Sequence, residues 1–61
     1  MERLKQLRKM RRLTQVDVCR AIDCPRPMYA LMESGKMPLR DKDLAALAKL
    51  YNVSVQYLKK S

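Results

Sequence analysis

Apolar residues recur along this chain at helical spacing, in five short groups separated by polar or turn-forming segments. Positions three or four residues apart lie on one side of an α-helix, so each group predicts one amphipathic helix. The residues expected to face inward are Leu4, Leu7, Met10, Val18, Cys19, Ile22, Tyr29, Met32, Leu44, Leu47, Ala48, Tyr51, Val55 and Leu58. The chain has few β-branched residues and no Phe or Trp, which favours helix over strand.

The first two helices are predicted over about residues 2–11 and 15–22. Thr14, with Asp17 three residues later, forms a capping-box pattern that starts the second helix at Gln15. Asp23 tolerates the left-handed backbone conformation, so it suits a sharp exit after Ile22.

The third predicted helix opens with two prolines. It is expected to begin within residues 24–27, because amides in the first turn of a helix have no intrahelical partners and proline is tolerated there. It is expected to end near Ser34, with Gly35 as its C-terminal cap. Residues 36–40 then form a connecting loop that contains Pro38.

Two more helices are predicted in the last third of the chain. Asp41 is expected to cap a fourth helix that runs to about Tyr51, and Asn52 repeats the left-handed exit expected at Asp23. Ser54 is expected to cap a short fifth helix. The pattern therefore predicts an all-α domain of five short helices.

The second and third helices follow each other across a short turn, over about residues 15–34. Two short helices joined by a turn of three or four residues form a helix-turn-helix, whose second helix lies in the major groove of DNA. Residues 25–34 are therefore predicted to form a recognition helix.

The charge balance predicts the same kind of partner. The chain has 14 Lys and Arg residues against six Asp and Glu residues, which gives a net charge of +8 and a pI near 10.0. A domain this basic has the electrostatic footprint of a phosphate-binding surface. A basic chain can also be merely soluble, or bind polyanions without preference.

Length and composition disfavour other classes of protein. The chain of 61 residues accommodates one domain, over residues 1–61, and no catalytic cleft of ordinary size. It has no histidine, no nucleophile paired with a base and no glycine-rich phosphate loop, so we do not expect an enzyme. Cys19 and Cys24 lack further zinc ligands, so no metal or cofactor is expected. No bilayer-spanning segment or signal peptide is evident, which favours free thiols in a cytoplasm.

Beyond these patterns, the chain resembles the Cro/CI-type helix-turn-helix domains of phage repressors and related XRE-like bacterial regulators. The motifs that carry the resemblance are R-L-K-Q-L-R-K at residues 3–9, L-T-Q at 13–15, E-S-G-K at 33–36, L-A-K-L-Y-N-V-S-V at 47–55, and Leu58. The resemblance implies a compact five-helix lambda-repressor-like domain that binds double-stranded DNA as a small transcriptional regulator. It also implies the cytoplasm of a bacterial or phage-infected cell, and either a complete Cro-sized regulator or the DNA-binding part of a longer repressor.

The resemblance also implies roles for individual residues. The positions that face base edges in the family are filled here by Arg26, Pro27, Ala30 and Leu31. Gln15 corresponds to a phosphate-binding residue, the loop after Gly35 to a backbone contact, and Arg8 and Glu33 to a structural ion pair. The residues implied at a homodimer interface are Leu50, Val55, Gln56 and Tyr57.

The start of the third helix departs from the family pattern, which has small polar residues there. Residues 25–27 are Pro-Arg-Pro, and neither proline can read a base by hydrogen bonding. Arg26 is the one side chain on this face suited to a bidentate guanine contact, while apolar neighbours can pack against thymine methyl groups. We therefore expect sequence-specific binding that depends on few base contacts.

Further affinity is expected from phosphate contacts, made by Gln15, Arg11, Arg12, Lys36, Arg40 and Lys42. An alternative interpretation is a helix-turn-helix scaffold that binds a protein partner. It depends on an apolar cluster expected to be exposed, which consists of Met28, Leu31, Met37 and Leu39. Salt separates the two interpretations, because added salt weakens DNA binding steeply and leaves apolar binding intact.

Overall fold

Five α-helices make up the computed structural model, which describes residues 2–59. They are α1 (Glu2–Met10), α2 (Gln15–Ile22), α3 (Arg26–Glu33), α4 (Asp41–Tyr51) and α5 (Val55–Lys59). Over residues 2–59 the chain has no strand, and none of these helices is long and apolar enough to cross a membrane. The predicted all-α class is confirmed, and the helices begin and end close to the expected residues.

All five helices contribute to one core. Its fully buried side chains include Leu4, Val18, Tyr29, Met32, Leu47 and Leu58. Burial of one such apolar side chain stabilises a fold by about 1.5–3 kcal/mol, and a domain this small has few of them. The packing fixes the inner side of α3 and leaves its other side to solvent.

The start of α2 is fixed by the predicted capping box. The Thr14 hydroxyl accepts a hydrogen bond from the Asp17 amide at 3.1 Å, and the Asp17 carboxylate accepts one from the Thr14 amide at 2.8 Å. Both bonds satisfy amides that would otherwise lack partners at a helix N-terminus. The bond from the Thr14 amide is also the main cause that lowers the pKa of Asp17.

Three of the connecting turns contain a residue other than glycine in the left-handed conformation. Asp23 (φ 55°) ends α2 and Asn52 (φ 56°) ends α4, as predicted. Arg12 has a φ of 56° in the turn after α1, which the sequence pattern did not indicate. Asn and Asp tolerate this conformation, but it costs other side chains roughly 1–2 kcal/mol. Arg12 is therefore a strained position in the turn that leads to α2.

Two expected details are wrong. The spacing predicts an inward-facing Met10, but Met10 is 75% exposed. Steps of three residues drift by about 60° each around a helix, so Met10 points about 120° away from Leu4. Asp41 is expected to cap α4, but it is the first residue of the helix and Arg40 occupies the capping position. Arg40 is held there by the fully buried Asp43 carboxylate, which accepts hydrogen bonds from its guanidinium at 2.6 and 3.2 Å.

Replacement of Arg12 by glycine is expected to stabilise the domain. Glycine adopts the left-handed conformation without strain, and this gain exceeds the entropy that glycine adds to the unfolded chain. The free energy of unfolding should rise by about 0.5–1 kcal/mol. Urea denaturation measures the change.

The matched control is Arg20→Gly. Arg20 is exposed inside α2, where the same substitution should cost about 1 kcal/mol because glycine disfavours a helix interior. Equal losses of stability in the two variants would contradict strain at Arg12.

Candidate nucleic-acid interface

The two sides of α3 differ in burial. Tyr29 and Met32 are fully buried and hold its inner side in the core. The outward side carries the four residues expected to face base edges, which are Arg26, Pro27, Ala30 and Leu31. All are exposed except the half-buried Ala30, and Leu31 is 40% exposed. Their spacing of one helical turn places them on the same side, so the structure brings them together.

The first turn of α3 is poor in hydrogen-bond donors. Pro25 occupies the capping position without a side-chain hydrogen bond, and Pro27 is the second residue of the helix. Neither proline has an amide N–H, so Arg26 supplies the long donor of this turn. Its exposed planar guanidinium matches a pair of acceptors lying side by side.

A Schellman motif ends α3 at Gly35, whose φ is 84°. The Lys36 amide donates to the Leu31 carbonyl at 2.9 Å, and the Gly35 amide donates to the Met32 carbonyl at 3.2 Å. These bonds satisfy the last carbonyls of the helix, and the left-handed glycine redirects the chain. Lys36 is thereby held, exposed, just beyond the end of α3.

An ion pair joins α1 to the end of α3. The Arg8 guanidinium donates to both Glu33 oxygens, from Nε at 2.9 Å and from Nη2 at 3.0 Å. Its Nη1 donates to the Leu13 carbonyl at 2.9 Å. The two side chains are only 13% and 5% exposed. These charge-assisted bonds therefore connect α1, the turn before α2 and the end of α3.

Burial and hydrogen bonding act in opposite directions on Glu33. Burial raises the pKa of its carboxyl group, but hydrogen bonds from Arg8 and Gln15, together with the nearby Tyr29 hydroxyl, lower that pKa by more. Donation to Glu33 is the main cause that raises the pKa of Arg8. Both groups are therefore charged at neutral pH.

Comparison with known protein families identifies the family to which this fold belongs. The family model described as Helix-turn-helix matches residues 4–58, from α1 into α5. The chain belongs to the helix-turn-helix family. The match is to its XRE- and Cro/CI-like branch of DNA-binding regulators, as the sequence resemblance implied. Comparisons with curated proteins and with solved structures gave no match.

The phosphate-contact candidates of this helix-turn-helix domain differ in their surroundings. Arg12, Lys36 and Lys42 are exposed, and Gln15 is half-buried as the first residue of α2. A groove of about 330 Å³ lies between α1 and the helix-turn-helix. It is lined by Glu2, Lys5, Arg8, Gln15, Ala30, Glu33 and Ser34. Gln15 therefore borders the same groove as one of the residues on the outward side of α3.

Two further phosphate-contact candidates, both arginines, also donate hydrogen bonds within the domain. Arg11 donates from Nη2 to the Tyr51 carbonyl at 2.9 Å, and its guanidinium lies 5.9 Å from the centre of the Tyr51 ring. This places a cation at the C-terminus of α4, where the helix dipole favours it. Arg40 forms the bidentate pair with Asp43. A guanidinium has five N–H donors, so each pairing leaves donors unused.

The expected exposed apolar cluster is wrong for three of its four residues. Met28, Met37 and Leu39 are half-buried and pack against the core. Met28 lies in α3, next to the buried Tyr29, and Met37 and Leu39 lie in the loop after α3, which folds back so that its apolar side chains meet the core. Of the cluster, only Leu31 is exposed.

The four residues expected at a dimer interface divide into two pairs. Leu50 and Val55 are half-buried against the core, whereas Gln56 and Tyr57 are exposed. The Arg3 guanidinium lies 4.3 Å from the centre of the Tyr57 ring and donates a hydrogen bond to the Tyr57 carbonyl. This contact attaches α5 to the start of α1.

The cysteines line a second groove, of about 440 Å³, along the turn between α2 and α3. Cys19 and Cys24 are buried free thiols, and burial raises the pKa of each. Over residues 2–59 no group of three or more potential metal ligands occurs. Arg26 also lines this groove, so both cysteines and the first residue of α3 border it.

Two buried tyrosines lie close to the Arg8–Glu33 pair. The hydroxyls of Tyr29 and Tyr51 are buried without a hydrogen bond of standard geometry, and burial is the main cause that raises the pKa of both. Apolar periodicity predicts that both rings are in the core. No sequence signal indicates that their hydroxyls approach Glu33.

Glu33→Ala should cost more stability than loss of a surface carboxylate. The change leaves the partly buried Arg8 without its counter-ion, so we expect a loss of about 1.5 kcal/mol or more at pH 7. The pKa of Glu33 is lowered in the folded state, so its contribution is present at neutral pH and is lost as the pH falls through that pKa. Denaturation at neutral and acid pH measures both effects.

Glu2→Ala is the control, because Glu2 is an exposed carboxylate in the first turn of α1. It should be near neutral, with a small loss from removal of a negative charge near the helix N-terminus. Equal losses in the two variants at pH 7, or a Glu33→Ala effect that grows in acid, would show that the ion pair does not stabilise the fold.

Proposed function

We propose that this domain binds double-stranded DNA with sequence specificity, as a small Cro-like transcriptional repressor, with α3 in the major groove. The observation that carries the proposal is the outward side of α3, which exposes Arg26 and Leu31 while Tyr29 and Met32 hold the opposite side in the core. A helix fixed in this way can enter a major groove, which is about 12 Å wide.

Specific base contacts come from few side chains. Arg26 donates two hydrogen bonds to the O6 and N7 of a guanine, a pairing that fits its planar fork. Leu31 packs against a thymine methyl group, and Pro27 and Ala30 make further apolar contacts. Because this side lacks amide and hydroxyl side chains, discrimination between base pairs depends on one strong contact and several weak ones.

Contacts to the DNA backbone supply most of the affinity. Gln15, Arg12, Lys36 and Lys42 meet phosphates directly, on either flank of α3. Arg11 and Arg40 meet phosphates through the N–H groups that their internal hydrogen bonds leave unused. The net charge of +8 supports this role.

Two copies bind a pseudo-palindromic operator in a bacterial cytoplasm. The helix-turn-helix reads a half-site of a few base pairs, and a dimer doubles the length that is read. Leu50, Val55, Gln56 and Tyr57 form the contact between copies. Half-sites one helical turn apart, about 34 Å, are expected for this geometry.

Binding to duplex DNA should weaken steeply with salt. Each neutralised phosphate contributes about 0.9 to the slope of log affinity against log salt concentration, so a slope of several units is expected. Fluorescence anisotropy with labelled duplexes of varied sequence measures it. A domain that binds no duplex at low salt would contradict the proposal, and salt-independent binding would favour an apolar protein partner.

Arg26→Ala should weaken binding to the preferred site and relax selection at one position per half-site. Loss of a bidentate guanine contact should cost about 1–3 kcal/mol at that site. Binding-site selection on random duplexes, followed by affinity measurement on the selected site, gives both results.

Lys36→Ala is the matched comparison, because Lys36 is an exposed cation just beyond the other end of α3. It should weaken specific and non-specific duplexes equally and lower the salt slope by about 1. A selected sequence that is identical for the wild-type protein and Arg26→Ala would contradict the role of Arg26.

A further inference from the structure

We propose that Glu33 is a positioning residue for DNA binding, which orients the Gln15 amide so that it presents an N–H group to a DNA phosphate. The inference rests on the proposed function, in which Gln15 contacts the backbone. It adds a second role to Glu33, whose pairing with Arg8 accounts for the attachment of α3 to α1.

The Glu33 carboxylate accepts hydrogen bonds from side chains of both α1 and α2. Its Oε2 accepts from Arg8 Nε at 2.9 Å, and its Oε1 accepts from Arg8 Nη2 at 3.0 Å and from Gln15 Nε2 at 3.4 Å. Glu33 is the last residue of α3 and Gln15 is the first residue of α2. The bond therefore connects the two helices of the helix-turn-helix at the side away from their turn.

A carboxylate fixes which end of an amide faces it. An ionised carboxylate only accepts hydrogen bonds, whereas the Gln15 amide has a donating NH₂ end and an accepting oxygen. The reversed orientation would place the amide oxygen against a negative charge. Glu33 therefore selects the orientation in which one N–H points to Oε1, and the second N–H stays available to a ligand.

Arg8 makes this arrangement compatible with an anionic ligand. A buried carboxylate without a counter-ion would repel an approaching phosphate. The Arg8 guanidinium neutralises Glu33 through two bonds and is itself held by the Leu13 carbonyl. Glu2 and Lys5 line the same groove as Gln15, so the lining has two carboxylates, two cations and no net formal charge. The Lys5 ammonium and the second N–H of Gln15 are donors that this groove offers to a phosphate.

The first test needs no DNA. The exposed Gln6 of α1 is an internal reference for Gln15 in the wild-type protein. In ¹⁵N relaxation measurements the Gln15 side-chain amide should be nearly as ordered as the backbone, and the Gln6 side-chain amide should be mobile. A Gln15 amide as mobile as that of Gln6 would overturn the proposal, and this outcome does not depend on whether any variant folds.

The second test is a double-mutant cycle on one duplex at one salt concentration, at a temperature where circular dichroism shows each variant folded. Glu33→Gln should weaken binding about threefold to tenfold in the wild-type background. It should change the affinity of Gln15→Ala by less than about twofold, because the oriented amide is already gone. Equal losses in both backgrounds would mean that Glu33 acts only through the fold, and would overturn the proposal.

The two tests separate this inference from the function on which it rests. A wild-type protein that binds no duplex would overturn the proposed function and the role of Glu33 together. Duplex binding that is intact but unaffected by Glu33→Gln would overturn the role of Glu33 alone.

Discussion

The salt bridge between Arg8 and Glu33 is the interaction on which the rest of the structure depends. It joins the first helix to the end of the third and also holds the turn at Leu13. In a buried pair of this kind desolvation offsets much of the attraction, but removal of one partner leaves an uncompensated charge and destabilises the fold. The intact pair therefore holds the end of α3 against α1, and with it the position of the outward side of α3.

The outward side of α3 has few hydrogen-bonding side chains. Pro25 and Pro27 lack amide N–H groups, so in the proposed complex Arg26 makes the hydrogen bonds to bases. Most of the affinity of that complex would come from the surrounding cations, whose phosphate contacts carry no sequence information. At Arg12 the chain keeps an exposed cation at a cost in stability. Its backbone is in a conformation that glycine would adopt without strain. We therefore expect the affinity for DNA to fall steeply with added salt and the specificity to depend on few base contacts.

The elements of the fold were predictable because their signals are local. The capping box at Thr14 and Asp17 and the left-handed exits at Asp23 and Asn52 each depend on residues within one turn. The burial of the loop after α3 could not be predicted from such local signals. Met37 and Leu39 look exposed in the sequence, and only the tertiary course of the chain packs them against the core.

Contacts between residues far apart in the sequence could not be predicted from local patterns either. The pairing of Arg11 with the Tyr51 carbonyl joins residues 40 positions apart, and no motif indicates it. The approach of Gln15 to Glu33 spans 18 positions and needs the packing of α2 on α3. The Arg8–Glu33 pair was foreseen only through resemblance to a family.

Replacement of one guanine at a time by 7-deazaguanine in the selected duplex tests the central claim, that the outward side of α3 reads base edges. This base keeps Watson–Crick pairing but lacks the N7 acceptor. Wild-type affinity should fall about tenfold at one guanine per half-site, and the affinity of Arg26→Ala should not change there. Wild-type protein that binds every substituted duplex as tightly as the unmodified one would contradict the claim.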